Sequence, residues 1–290
     1  MKFENYRYYS RFILYLVLFF FPLGWFSCAH WGTSLERGRI IGTEPQLNEI
    51  LNDLSQNDQS IQTLKGRGTF TLKTPQLDTI YQLHQSDVFF RMPDYLYVIG
   101  RKYTATVLRM TCYRDEALIE LPTERQFYYQ HGGEYFESSD TRVTPLDIFR
   151  ETFFPETWEQ IPHSKILLKS FNLEHQKATI EIYNDKHHKQ ILRRIEVQGT
   201  PWVLISSERY SKQGTVIAKS IRENYKVTPE GIRFPEIIHC EFPCENAFMT
   251  IKLNHCSINV SIDNPRTVLS QQKEKLLRSG YVPVDIENTR

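Results

Sequence analysis

Cysteine and histidine residues cluster near the C-terminus with a spacing that suits metal binding. The stretch "HCEFPCENAFMTIKLNHC" contains Cys240, Cys244 and Cys256, and either His239 or His255 could complete a tetrahedral Zn²⁺ set. Adjacent residues on a strand point to opposite faces, so a neighbouring His and Cys could not easily bind the same ion. The pattern therefore favours no metal site, and oxidation of the thiols is the alternative.

Other candidates for catalysis stand alone in the sequence. Ser270 and Lys273 form an S-x-x-K pattern on a predicted C-terminal helix, but the S-D-N and K-T-G motifs that accompany it in penicillin-recognising enzymes do not occur. The patterns G-x-S-x-G, H-E-x-x-H and Walker A are also absent. His187 and His188 lie between two predicted strands and are typical of a solvated turn. We expect neither an enzyme nor a cofactor.

The N-terminus has the pattern of a secretory signal. Three basic residues precede the uncharged run "FILYLVLFFFPLGWF", which ends at Phe26. This run is shorter than the roughly 20 apolar residues that a membrane-spanning helix needs. The sequence therefore predicts a signal peptide over residues 1–28 and a protein body outside the cytoplasm.

Cys28 is the residue with the clearest predicted chemistry. The stretch "LGWFSC" resembles the lipobox of bacterial lipoproteins, in which the cysteine after the cleavage point receives lipid, and Ser27 supplies the small residue before it. Trp25 and Phe26 stand where a leucine and a small residue are usual. The resemblance implies lipidation at Cys28, with an uncleaved anchor helix or cleavage elsewhere as alternatives. The residue after this cysteine is Ala29 and not Asp. In the family's sorting pattern, that residue implies a location at the outer membrane of a two-membrane bacterium.

Four cysteines remain in the protein body. In an oxidising compartment, an even set of four allows three disulfide connectivities. We expect one bridge among the C-terminal three, with buried thiols as the alternative. The four are Cys112, Cys240, Cys244 and Cys256.

Composition excludes one class of partner. Of the 290 residues, 40% are apolar and 24% are charged, and the formal net charge is +1. A nucleic-acid-binding protein would need clustered Lys and Arg to neutralise phosphates. We therefore expect no nucleic-acid partner. The roughly 260 residues after the signal are enough for one large globular domain, with two domains as the alternative.

A tether and a helix precede the predicted sheet. Residues 29–44 mix glycine and charge without a clear period, which suits a tether. Leu47, Ile50, Leu51 and Leu54 then follow at helical spacing. They predict an amphipathic helix with one buried face.

From Leu64 onward the apolar period changes to two, which is typical of strands. "GRGTFTLKTP" and "LDTIYQLHQ" predict a hairpin, and separate short strands follow at "VFFRM", "YLYVIG", "TATVLRM", "ALIELP" and "QFYYQ". A helix predicted over residues 144–162 interrupts the strands, which resume at "KILLKSFNL" and continue to "FMTIKLNHCSINV". Residues 266–290 predict a helix and a polar tail. The fold class is mainly β, with a single curved antiparallel sheet closed by a few helices.

The order of these parts resembles the lipoprotein carrier and outer-membrane receptor family (LolA/LolB-like). The resemblance rests on "LKGRGTFTL", "RMPDYLYVIG", "GRKYTATVLRMT", "LIELPTERQFYY", "TPLDIF" and the closing strands, and it covers residues 45–265. It implies a half-open β-barrel whose hydrophobic cavity receives the acyl chains of lipids or lipoproteins. In the receptor branch an apolar residue protrudes from the hairpin where this chain has Arg101, Lys102 and Tyr103.

Two sets of apolar residues are candidates for such a cavity. The inward cavity candidates, for which ordinary core packing is the alternative, are Phe70, Leu72, Tyr97, Ile99, Leu108 and Met110. The lid candidates, for which a fixed core helix is the alternative, are Phe149, Phe153, Phe154 and Trp158. The sequence thus predicts a lipid-anchored envelope protein that binds lipid. The second hypothesis is a structural or assembly lipoprotein with a plugged cavity that contacts envelope proteins through its surface.

Overall fold

The computed structural model describes residues 45–73, 80–131, 158, 161–262 and 268–284. The predicted signal peptide, the tether and most of the predicted lid helix lie outside the described residues. The helices are α1 (Leu47–Ser60) and α2 (Leu269–Arg278). The strands are β1 (Thr63–Lys73), β2 (Tyr81–Arg91), β3 (Tyr95–Lys102), β4 (Ala105–Tyr113), β5 (Glu116–Leu121), β6 (Gln126–His131), β7 (Ile166–Asn172), β8 (Lys177–Tyr183), β9 (Ile191–Gln198), β10 (Val203–Tyr210), β11 (Val216–Val227), β12 (Arg233–Phe242), β13 (Ala247–Ile258) and β14 (Val282–Pro283).

The fourteen described strands form one curved sheet that does not close, in the order β14-β6-β5-β4-β3-β2-β1-β13-β12-β11-β10-β9-β8-β7. Two meanders, β1 to β6 and β7 to β13, meet where β1 pairs antiparallel with β13. We call this β1–β13 pairing the seam. The predicted fold class, mainly β with a single curved sheet, is confirmed.

The sheet has an inner face, which we define by its largest apolar cluster and by α1. Ile195, Ser207, Ser220, Cys240 and Met249 are paired in a row across β9 to β13, so they share this face. Met249 belongs to the large cluster and Ile195 to the cluster beneath α1. One face of the sheet therefore carries both apolar clusters.

Helix α1 covers the inner face of the second meander. Ile50, Leu51 and Leu54 are buried there, as their helical spacing predicts. Asn57 fixes the end of the helix, because its amide accepts from the Arg233 backbone N–H at 2.8 Å and donates to the Arg233 carbonyl at 2.9 Å. This pair of bonds anchors α1 to the beginning of β12.

Helix α2 and β14 complete the opposite, outer face near β6. Leu269 is fully buried against Leu118 and Phe127. The chain then turns at Gly280, and β14 pairs parallel with β6. The predicted polar tail therefore contains a strand, and the sheet has one parallel pairing among its antiparallel ones. Within the described residues, neither helix combines the length and hydropathy of a membrane-spanning segment.

Strand β2 also differs from the prediction. "LDTIYQLHQ" and "VFFRM" were expected as separate strands, but β2 runs without interruption from Tyr81 to Arg91. Its polar middle is stabilised on the outer face, where Asp87 accepts from Arg67 Nε at 2.9 Å and forms an ion pair with Arg101. These neighbours allow a charged residue to lie within the strand.

Candidate functional site

Four of the six cavity candidates lie on the inner face. Phe70 and Leu108 have no exposed surface, and Leu72 and Met110 are 1% exposed. They belong to a cluster from both sides of the seam, whose buried members are Leu64, Phe70, Leu72, Leu83, Val88, Phe90, Leu96, Val98, Leu108, Met110, Cys112, Ala117, Ile119, Leu121, Ala218, Cys240, Phe242, Ala247, Met249, Ile251 and Leu253. The inner face is thus largely apolar on both sides of the seam.

Tyr97 and Ile99 were wrongly expected to point inward. Both are half-buried on the outer face, and the Tyr97 ring stacks on Phe89 with 6.0 Å between centroids. Leu96 and Val98 occupy the inner face instead. Because every residue from Tyr95 to Ile99 is apolar or aromatic, alternation alone could not show which face is buried.

Trp158 is the lid candidate that the structure describes. It is 3% exposed within the apolar cluster beneath α1, and its indole N–H donates to Asp58 at 3.4 Å. Trp158 therefore packs against the second meander. Phe149, Phe153 and Phe154 lie outside the described residues.

The predicted hairpin tip protrudes between β3 and β4. Tyr103 is 84% exposed, the highest value among the exposed large hydrophobic side chains of the described chain, and its backbone is left-handed at φ 58°. Lys102 beside it is exposed, whereas Arg101 is held back by its ion pair with Asp87. The tip thus presents one aromatic ring and one cation to solvent.

The expected disulfide bridge does not form. Cys112 and Cys240 are buried, Cys256 is half-buried and Cys244 is exposed, and all four are thiols. Cys240 pairs with Met249, seven residues before Cys256 along β13, which is about 23 Å at roughly 3.3 Å per residue. A disulfide requires Cα atoms within about 7 Å, so this pair cannot join.

The same separation excludes the zinc set that these cysteines suggested. His239 has both ring nitrogens engaged, one 2.6 Å from Thr250 Oγ1 and the other 2.7 Å from Glu241. Burial raises the pKa of Cys256 to about 12, which keeps it protonated. Among the described residues, no three His, Cys, Asp or Glu side chains are close enough to hold a metal.

The other candidates for chemistry, Lys273 and the histidine pair at 187 and 188, make structural contacts. Lys273 lies with its ammonium 4.9 Å from the centroid of the Tyr129 ring, on the α2 side of the sheet. The His188 Nε2 atom is 3.1 Å from the Ser164 carbonyl, and the His187 backbone N–H donates to Asp185 at 2.7 Å. These contacts hold the "NDKHHKQ" turn in place.

Three buried polar side chains interrupt the inner face of the second meander, and no sequence motif marks them. Ser207 and Ser220 are each 2% exposed and pair across β10 and β11, and Arg193 on β9 is 4% exposed. Arg193 Nε donates to Ser207 Oγ at 2.6 Å. We call these three residues the inner polar row. Its only sequence signal is polar residues at inward positions of otherwise apolar strands.

The outer face of the second meander carries a ladder of alternating charge. Glu181, Arg194, Glu208 and Lys219 are paired in turn from β8 to β11. Arg194 donates twice to Glu181, from Nε at 3.1 Å and from Nη2 at 2.9 Å, and Tyr183 donates to the same carboxylate at 2.5 Å. Burial alone would raise the pKa of Glu181, but these donors lower it below the ordinary value of 4.5.

Comparison with known proteins identifies the fold. No protein-family model matches the chain, and no curated protein matches its sequence. The chain is similar to the crystal structure of a DUF1329 family protein from Desulfovibrio piger, with 15% identity, 76% of this chain and 96% of that one covered, and a TM-score of 0.52. The two proteins share a fold.

Two further structures are similar at lower scores. One, described as an outer membrane lipoprotein-sorting protein domain from Vibrio parahaemolyticus, is 12% identical, with 79% of this chain and 97% of that one covered and a TM-score of 0.48. The other is a LolA superfamily protein from Nitrosomonas europaea, 12% identical, with 77% and 96% covered and a TM-score of 0.47.

Proposed function

We propose that this chain is a lipid-anchored lipoprotein of the bacterial cell envelope that binds acyl chains of lipids or lipoproteins on the inner face of its sheet. The observation that supports this most is the apolar inner face on both sides of the seam. Each buried methylene of a ligand contributes about 0.8 kcal/mol and needs no directional partner. An apolar face on a curved, unclosed sheet is suited to that kind of binding.

The location follows from the N-terminal sequence. Lipid on Cys28 would hold the body at a membrane, and Ala29 after it favours the outer membrane, with the sheet facing the periplasm. The exposed ring of Tyr103 and the ammonium of Lys102 at the hairpin tip suit contact with a lipid surface. Within this proposal the protein takes part in lipoprotein sorting or outer-membrane biogenesis.

One observation favours the second hypothesis, a structural or assembly lipoprotein. Phe70 and Leu108 at the centre of the inner face have no exposed surface at all. An interior that stays covered would leave the outer surface, with its ladder of alternating charge, to contact envelope proteins.

Titration with a fluorescent fatty acid distinguishes the two hypotheses. We expect the wild-type protein to bind the probe and Phe149→Asp to weaken binding at least tenfold, because a carboxylate in the predicted lid would be costly beside an acyl chain. Leu277→Asp, at an exposed position on α2, is the matched control and should bind normally. Failure of the wild type to bind any acyl probe would leave the structural hypothesis.

A further inference from the structure

Ser220 is the least satisfied member of the inner polar row. Its Oγ atom is buried and makes no hydrogen bond. Ser207 lies opposite it on β10, and Cys240 lies opposite it on β12. A buried hydroxyl without a partner destabilises a fold, and alanine at this position would avoid that cost. The hydroxyl therefore points to a partner that arrives from outside the chain.

The neighbours of Ser220 indicate the chemistry of that partner. Ser207 carries a second hydroxyl, and the bond from Arg193 Nε places a guanidinium beside it at 2.6 Å. A buried hydroxyl donor favours an oxygen acceptor, and a charged acceptor gives the stronger hydrogen bond. Apolar residues flank the row on both sides, with Ile195 toward β8 and Met249 toward the seam.

We propose that Ser220, Ser207 and Arg193 form a polar subsite that receives the carboxylate or ester oxygen of an amphiphile whose chain lies on the apolar inner face. This inference rests on the proposed function and narrows its ligand class from apolar chains in general to chains that end in an oxygen acceptor. Ser220 Oγ donates to that oxygen, and a carboxylate accepts the stronger hydrogen bond.

Two ligands of different polarity test the subsite in the full-length protein. The first is N-phenyl-1-naphthylamine, an uncharged fluorescent probe without an oxygen acceptor, and the second is palmitate, measured by displacement of that probe. Ser220→Ala should leave the Kd of the probe unchanged and weaken competition by palmitate about tenfold, the effect of losing one hydrogen bond to a charged group. Ser207→Ala should weaken palmitate in the same direction.

Ser206→Ala is the matched control. Ser206 adjoins Ser207 on β10 but faces outward, where its hydroxyl donates to Glu196 at 3.3 Å. It should bind both ligands as the wild type does. If the probe binds and palmitate competes equally well in wild type and Ser220→Ala, the subsite is wrong while the apolar site stands. If the wild type binds neither ligand, the proposed function itself fails.

Discussion

A single glycine permits the two meanders to join. A Cβ atom at Gly68 would overlap the backbone carbonyl of Lys252 on β13, and the register of β1 shifts at this residue against both of its neighbours. At Gly66, by contrast, a Cβ would meet the Cδ2 atom of Leu253 at 2.7 Å, and that side chain can move. The seam thus depends on the absence of a side chain at Gly68.

Gly68→Ala should therefore lower the free energy of unfolding by about 1–3 kcal/mol, since backbone must shift to admit the methyl group. Urea denaturation of the purified protein measures the loss. Gly66→Ala, two residues away on β1, should cost clearly less because Leu253 can adjust. Equal losses in the two variants would contradict this account of the seam.

Glu181 on the outer face should make the free energy of unfolding fall at acid pH. Its pKa is lowered in the folded protein, so its contribution is fully present above the ordinary value of 4.5 and is lost as pH falls through the lower folded value. Glu181→Gln should cost about 1–3 kcal/mol at pH 7 and should flatten the loss of stability below pH 4.5.

Urea midpoints between pH 7 and pH 3 measure this effect. Glu196→Gln is the control, because Glu196 is 44% exposed and its ion pair with Lys177 at 3.8 Å contributes little. If the urea midpoint of Glu181→Gln changed with pH as that of the wild type does, the ladder would not stabilise the carboxylate.

At the scale of elements, the attachment of α1 depends on Asn57. Its side chain satisfies both backbone groups of Arg233, as a neighbouring strand would. Asn57→Ala should lower stability by about 1–3 kcal/mol and speed hydrogen exchange in α1, because it leaves two partly buried backbone groups without their partner. Asn48→Ala, exposed on the same helix, should change neither quantity.

The elements could be predicted where apolar residues alternate with polar ones. The period of 3.6 at Leu47 to Leu54 defined α1, and the period of two defined most strands. The inward face of β3 could not be predicted, because all five residues from Tyr95 to Ile99 are apolar or aromatic and their alternation distinguishes no face. The inner polar row and the two-residue β14 were missed for another reason, since each depends on pairing across strands.

At the scale of the whole molecule, residue pattern predicted a curved, mainly β sheet, and the family resemblance implied that it is half-open. Neither showed which parts of the chain lie at its centre. Strand order shows that β1 and β13 lie side by side. Nothing in the local pattern of either strand specifies that partner. The predicted disulfide bridge was wrong for the opposite reason. Cys240 and Cys256 are close in sequence, but they lie far apart along β12 and β13.

The proposed lipid anchor at Cys28 can be tested on the whole protein. Cys28→Ser should abolish incorporation of radiolabelled palmitate in a bacterial host and release the protein from the membrane fraction. Cys244→Ser removes an exposed thiol and should leave labelling and membrane association unchanged. Membrane retention of the Cys28→Ser protein would show that another segment anchors it.

The seam also imposes an order on folding. Each meander pairs strands that are neighbours in the chain, so each can form as soon as its own residues are available. Leu64 and Ile258 pair across the seam, however, and their contact closes a loop of nearly the whole domain. Until β13 pairs with it, one edge of β1 therefore remains uncovered and open to pairing with another chain.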